Sequence, residues 1–391
     1  MLALLLLLLL APGVARAEEG EQDGDLTIPE GVDAWLSEIA WADWEREWAR
    51  MPEEVRRLWN GLDVREITRE TAQTGDTGAA VLEALLSREG LAGLLAEQIQ
   101  AAGATALLLM GVLLTGSVTA ALTEGKDERV AETAGLACRC VLLLIMFGTF
   151  LTLAKTAAAC ISSVSNFMEL ASPALMTLLT ALGGTASAGV FQPAMALLCT
   201  TVTETVVGVI VPLTLCGGVI GVIDKLSPGM RIGELSALLK GVSKWTVGAL
   251  TTLYLGATAI RGMTAASFDG VSLRAARYAA GAAVPMFGGL VTGAFDTMLG
   301  CAALVKNALG VTAILLCAGM IALPMLKLLA FQLMLRLTAA VAQPLSGSAQ
   351  AGMLRAGADM IGGLLSACAA VSVMFIVTVG LVTGLGNAGY L

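Results

Sequence analysis

The chain has 391 residues, of which 57% are apolar and only 14% charged, and it contains no histidine. A soluble domain carries about 25% charged residues, so a water-soluble fold of this composition lacks the polar surface to cover itself. Without histidine there are no imidazole metal ligands, no histidine general bases and no Ser-His or Cys-His nucleophile systems.

Charge is distributed unevenly. Residues 18–100 hold 20 acidic and 7 basic side chains, whereas residues 101–391 hold 11 acidic and 15 basic ones. Lys and Arg near membrane spans tend to remain cytoplasmic while acidic segments translocate readily, so the asymmetry predicts an exported N-terminal segment. It also excludes nucleic acid as that segment's partner, since phosphate contacts need a basic face.

In chain order, Met1–Leu10 is nearly pure Leu and is followed by Ala15-Arg16-Ala17, a small-x-small pattern that predicts signal cleavage after Ala17. No Lys or Arg precedes the Leu run, which leaves a retained anchor or a different start codon open. The expected organisation is therefore a signal peptide (1–17), an acidic extracytoplasmic helical segment (18–100) and a multi-pass membrane domain (101–391). Residues 18–30 read as disordered. Trp35, Ile39, Trp44 and Trp48 then recur at helical spacing, and Pro52-Glu53-Glu54 opens a second helix bearing Trp59, together predicting a helical hairpin. Its tryptophans suit a small core, a bilayer belt or a partner-docking surface, and Trp35, Trp44, Trp48 and Trp59 are the docking candidates. A polar interval over 71–78 and an amphipathic lead over 81–100 follow.

Apolar runs predict spans near 101–122 and 141–161. Residues 171–223 are long enough for two crossings or for a re-entrant hairpin with one, with Gly183-Gly184 and Gln192-Pro193 as punctuation. Residues 224–244 read as an interfacial helix, 245–260 as a short crossing and 261–280 as a polar connection. Further spans are expected near 282–304, 309–326, 328–341 and 361–381. The expected fold is an all-α polytopic membrane bundle of about six to eight spans. The loops flanking 245–260 carry comparable positive charge, so the positive-inside rule leaves the side of the C-terminus open.

All eight cysteines lie in or beside apolar stretches and read as free buried thiols. No phosphate-cradling G-x-x-x-x-G-K-[ST] occurs; Gly125-Lys126 is followed by Asp127. The expectation is a non-enzymatic chain with no cofactor and no metal. Ionisable residues at apparent membrane depth are Glu169, Glu204, Asp296, Lys327 and Arg336, with Asp359 near a span end. Each costs roughly 2.5–3.5 kcal/mol at a helix centre on insertion scales, so each should meet a partner or water. Asp296 and Lys327 are expected to approach each other inside the bundle. Glycine clusters at 217–221 and at Gly288-Gly289 predict close helix crossings or a hinge.

Several stretches resemble the stage III sporulation protein AE family of endospore-forming bacteria. They are Phe268-Asp-Gly-Val-Ser-Leu-Arg-Ala-Ala-Arg-Tyr278, Val284-Pro-Met-Phe-Gly-Gly289, Ala294-Phe-Asp-Thr297, Lys306-Asn307, Leu323-Pro-Met-Leu-Lys327, Ala340-Val-Ala-Gln-Pro-Leu-Ser-Gly347 and Gly183-Gly-Thr-Ala-Ser-Ala-Gly-Val-Phe-Gln-Pro193. With the leader and helical segment, the resemblance extends over nearly the whole chain. It implies a subunit of a secretion-like channel between mother cell and forespore, located in the mother-cell membrane around the forespore. The partners it implies are other membrane proteins of the same stage III sporulation operon, a cytoplasmic ATPase and ring-forming proteins of the intermembrane space. It brings no catalytic or ligand residues. An ion-coupled secondary transporter or permease is the alternative, which an inverted repeat with broken helices would mark, and assembly as a homo-oligomer stays open.

Overall fold

The computed structural model describes residues 28–37, 39–51, 53, 56, 63–74, 88–123, 128–226, 232–283 and 288–385. The leader, most of the acidic stretch after it and Trp59 lie outside the described residues, as do the side chains of residues 261–296. Among the described residues every element is helical: α1 (Ile28–Ser37), α2 (Trp41–Arg50), α3 (Val64–Thr74), α4 (Arg88–Thr123), α5 (Glu128–Ala181), α6 (Thr185–Thr205), α7 (Val211–Asp224), α8 (Gly233–Ala283), α9 (Gly288–Ser346) and α10 (Ser348–Gly384). A π turn, Val206–Ile210, joins α6 to α7.

Among the described residues five stretches are long and apolar enough to cross a membrane: Leu95–Thr119, Thr133–Ala181, Cys199–Asp224, Thr297–Leu345 and Ser348–Gly384. Inside hydrocarbon a backbone amide finds no water, and a helix is the one open-chain form that satisfies all its own hydrogen bonds. The protein is thus an all-α, polytopic helical bundle.

Three expected boundaries are replaced by continuous helix. The separate spans near 282–304, 309–326 and 328–341 give way to α9, a single helix of 59 residues. The gaps between them fall at Lys306-Asn307 and at Lys327, and Pro324 lies inside the second span; a charge does not disturb helical dihedrals, and an internal proline removes one hydrogen bond without ending the helix. The polar connection at 261–280 is helical too, as the second half of the 51-residue α8. Its Ala-rich, Pro-free sequence favours helix whatever its polarity. Conversely, the first helix of the predicted Trp hairpin is two short helices, α1 and α2, with Ile39 and Ala40 non-helical between them, and the Trp41 indole N–H donates to the Leu36 carbonyl (2.7 Å).

α10 is the axis of the bundle. Small residues on it receive side chains from its neighbours: Gly357 sits under Met146 and Phe150 of α5, Gly362 under Gln332 of α9, and Gly363 under Thr214 of α7. The α7 glycines act in the same way. Gly217 packs on Leu239 and Lys240, Gly218 on Met360, and Gly221 on the Ser236 hydroxyl, so α7 is wedged between α8 and α10 as a close crossing. A Cβ at Gly218 would overlap Met360 near its backbone, where the side chain cannot swing away. Gly218→Val is therefore expected to cost about 1–3 kcal/mol as overpacking. Gly241→Val, with nothing within 4 Å of the added carbon, is the control, and thermal unfolding of the purified chains checks the difference.

The α5–α6 turn needs its glycines. Gly183 takes φ +83°, a left-handed conformation that side chains resist, and a Cβ on Gly184 would come within 2.9 Å of Leu179.

The long helices form two tiers. In the lower tier α4, the first half of α5, α7, the first half of α8 and the second half of α9 surround the start of α10. This tier carries almost all the exposed large apolar side chains, among them Leu107, Leu114 and Val118 on α4, Leu136, Leu144 and Leu151 on α5, Trp245 and Leu253 on α8, and Leu333 and Leu337 on α9. Such a belt is what lipid contact requires. The upper tier comprises the second half of α5, α6, the first half of α9 and the end of α10. Here α1–α3 cover the bundle: Trp44 meets Phe167 edge to face at 5.5 Å, and Thr68 shares a hydrogen bond with Thr312 of α9 (3.0 Å). The 49-residue stretches of α5 and α9 would each extend roughly 70 Å at 1.5 Å per residue, against ~30 Å of hydrocarbon, so each reaches well beyond one bilayer core.

Candidate functional site

The α5–α6 hairpin presents a hydrophilic wall. On α5 the exposed positions Lys155, Ser163, Asn166, Glu169, Thr177 and Thr180 recur at intervals of three or eight, which sets them on one helical face. On α6, Thr185, Gln192, Thr200, Thr201 and Glu204 are exposed. The two helices are antiparallel, and the Thr200 hydroxyl lies 3.5 Å from the Glu169 carboxylate, so both rows belong to one surface. The inward face of the same helices is mostly apolar, with Phe167, Leu175, Leu179, Phe191 and Val202 buried alongside Ser165 and Ser187. Glu169 and Glu204, expected at membrane depth, thus meet the exterior rather than an internal counter-ion. The Thr177 hydroxyl is satisfied on its own helix by the Pro173 carbonyl (2.9 Å), and the charged and amide side chains Lys155, Asn166, Glu169, Gln192 and Glu204 are the groups able to engage something outside.

A second polar region gathers at the lower end of the bundle. The Arg139 guanidinium donates to the Leu226 carbonyl (2.7 Å), Lys225 pairs with Asp224 (2.9 Å) and lies over Gly352, and Arg336 faces Asp359 at 3.5 Å. Arg355 bonds Gln343, and Lys240 and Lys244 come from the start of α8. Burial lowers the pKa of the Lys240 ammonium; Asp359 opposes this, and the like charges of Lys244 and Lys225 reinforce it.

Among the described residues one ammonium is fully enclosed. Lys306 is 0% exposed and donates to the Leu385 carbonyl at the end of α10, where helix carbonyls lack partners. The apolar interior holds other satisfied polar pairs, Tyr254 with Thr378 (2.8 Å) and Thr214 with Ser243 (2.6 Å). Among the described residues no group of three or more Cys, Asp or Glu converges as a metal site. The cysteines are not disulfide-bonded; Cys160, Cys199, Cys301, Cys317 and Cys368 are buried, whereas Cys216 is exposed.

The expected approach of Asp296 to Lys327 does not occur. Both lie on the continuous α9, 31 residues apart, which is about 46 Å of helix. Lys327 is half-buried, and the side chain of Asp296 lies outside the described residues, as do the surroundings of Gly288 and Gly289 at the start of α9. Arg336 reaches the exposed lower end. Of the tryptophans, Trp44 is buried and Trp35 and Trp48 are half-buried on the same core. Trp41, which was not singled out from the sequence, is buried beside them. The hydrophilic wall was not singled out either, although the spacing of Ser163, Asn166, Glu169 and Thr177 carried the signal; it was masked by the long apolar runs on the opposite face.

Comparison with known proteins adds two findings. The profile of the family described as stage III sporulation protein AE matches residues 63–386, so α1 and α2 lie outside the matched part. A protein named stage III sporulation protein AE from Bacillus subtilis (strain 168) is 27% identical over 264 residues, which is 67% of this chain and 66%, just under two thirds, of the relative's own length. No solved structure matches.

Proposed function

From its membership in the stage III sporulation protein AE family, which gives it a role in sporulation, we propose that this chain is a non-enzymatic membrane subunit of the secretion-like channel that joins mother cell and forespore. Its place would be the mother-cell membrane around the forespore, with α1–α3 and the upper tier on the extracytoplasmic side. A cytoplasmic ATPase would supply energy, and intermembrane ring proteins would continue the passage.

The observation that carries this reading is the hydrophilic wall of α5 and α6. A polytopic chain that only anchored a complex has no need of Lys155, Asn166, Glu169, Gln192 and Glu204 in a row on the outside of an otherwise apolar bundle. Exposed carboxylates above the lipid belt suit a water-lined passage completed by neighbouring subunits. Exposed positions tolerate substitution within about 0.5 kcal/mol, so Glu169→Lys together with Glu204→Lys should leave accumulation in the membrane unchanged. The same double variant is expected to block forespore development. Normal spores from it would remove the wall from the passage.

A further inference from the structure

The basic residues at the lower end come from five separate helices. Arg139 begins α5, Lys225 follows α7, Lys240 and Lys244 open α8, Arg336 ends α9 and Arg355 opens α10. No sequence window contains this cluster, because its members span residues 139–355. The contacts that assemble it are those of Arg139 with Leu226, Lys225 with Gly352, Lys240 with Gly217 and Gly221, and Arg336 with Asp359. Among the side chains described there, three carboxylates, Asp224, Glu234 and Asp359, accompany the six cations, an excess of positive charge. The belt of exposed Leu, Val and Trp side chains begins beside it, with Leu136 near Arg139, Leu235, Leu238 and Trp245 around Lys240 and Lys244, and Leu333 and Leu337 flanking Arg336. At the far end of the bundle the described residues of α1–α3 carry an acidic surface that includes Asp33, Asp43, Glu45, Glu66 and Glu70.

We infer that the lower end of the bundle lies in the cytoplasmic leaflet with its cations seated among anionic phospholipid headgroups, which puts both α1–α3 and the end of α10 on the opposite, extracytoplasmic side. Cations bordering an apolar belt mark the cytoplasmic face, and each adds about 1 kcal/mol of attraction to an anionic leaflet. The direction of the chain follows from the packing. α4 descends to this end, since Gly116 near its C-terminus meets Cys138 at the start of α5. α10 starts here and rises, since Gly352 lies beside Lys225 while Thr383 lies beside Gly310 in the upper tier. Counting charges in consecutive loops does not decide this orientation, because the cluster exists only after the helices have packed. The inference does not depend on the hydrophilic wall or on the passage.

Two measurements test it. In a background whose eight native cysteines are replaced by Ala, Gly384→Cys at the exposed end of α10 should react with a membrane-impermeant maleimide in intact cells. Ser348→Cys at the other end of α10 should react only after permeabilisation. The reverse pattern overturns the orientation. Independently of the cysteine variants, the otherwise unaltered chain in phosphatidylcholine bilayers should show a higher Tm when phosphatidylglycerol is included. The variant combining Lys225→Gln, Lys240→Gln, Lys244→Gln and Arg355→Gln should lose that rise. A Tm indifferent to phosphatidylglycerol, or raised equally by inorganic phosphate, overturns the headgroup contact.

Discussion

Replacing Trp44 by Ala is expected to be among the most damaging single changes in the N-terminal segment. The indole is 2% exposed and stands edge-on against Phe167 of α5, with Trp41 buried beside it. Truncating a buried Trp removes its transfer free energy and leaves a cavity, typically costing about 3–5 kcal/mol. Here the loss falls on one of the contacts joining α2 to the bundle. The expected result is a lower Tm and protease sensitivity at 41–51, with Trp48→Ala milder because that ring is half-buried and Trp44→Phe milder because it keeps the aromatic contact. Thermal unfolding and limited proteolysis of the full chain read this directly. If Trp44→Ala instead leaves the Tm unchanged and abolishes only association with other sporulation proteins, the ring acts as a docking residue.

The second large effect is expected at Lys306. Its ammonium is enclosed between α9 and α10 and donates to the Leu385 carbonyl, one of the partnerless acceptors at a helix C-terminus, where positive charge is favourable. Lys306→Glu places a carboxylate against those carbonyls, removes the donor and buries an uncompensated charge. A buried carboxylate facing carbonyl oxygens has no compensating donor and costs several kcal/mol, so the variant should fail to accumulate in the membrane. Lys306→Gln keeps a donor without the charge and should accumulate at a reduced level. Immunoblots of membrane fractions distinguish the two, and normal accumulation of Lys306→Glu would place residue 306 in contact with water.

Some of this architecture was legible residue by residue. The long apolar runs, the acidic excess before residue 100 and the absence of histidine specify a polytopic helical chain, because hydropathy, charge and catalytic competence are properties that a residue carries with it wherever it packs. The family resemblance was legible for a similar reason: motifs such as Leu323-Pro-Met-Leu-Lys327 are contiguous. The start and stop of helices were less so. Lys306-Asn307 and Lys327 looked like boundaries since a charge in lipid is costly, yet Lys306 is enclosed by the end of α10 and Lys327 is half-buried, so α9 continues through both.

What depended on more than one helix was decided by packing alone. The proposed meeting of Asp296 with Lys327 fails because a continuous helix holds them apart, and their opposite charges cannot overcome that rigid spacing. Lys306 reaches a backbone carbonyl 79 positions away, an acceptor with no sequence signature. The hydrophilic wall arises when α6 folds back on α5 through Gly183 and sets Thr200 beside Glu169, and the basic end arises when five helix termini converge around Arg139, Lys225 and Arg336. The sequence by itself determined the class of the protein and the acidic character of its N-terminal segment, since both are sums over local residue properties. The tertiary structure decided which residues face one another, since that follows from helix direction and close approach at glycines such as Gly218 and Gly357, quantities that no single segment contains.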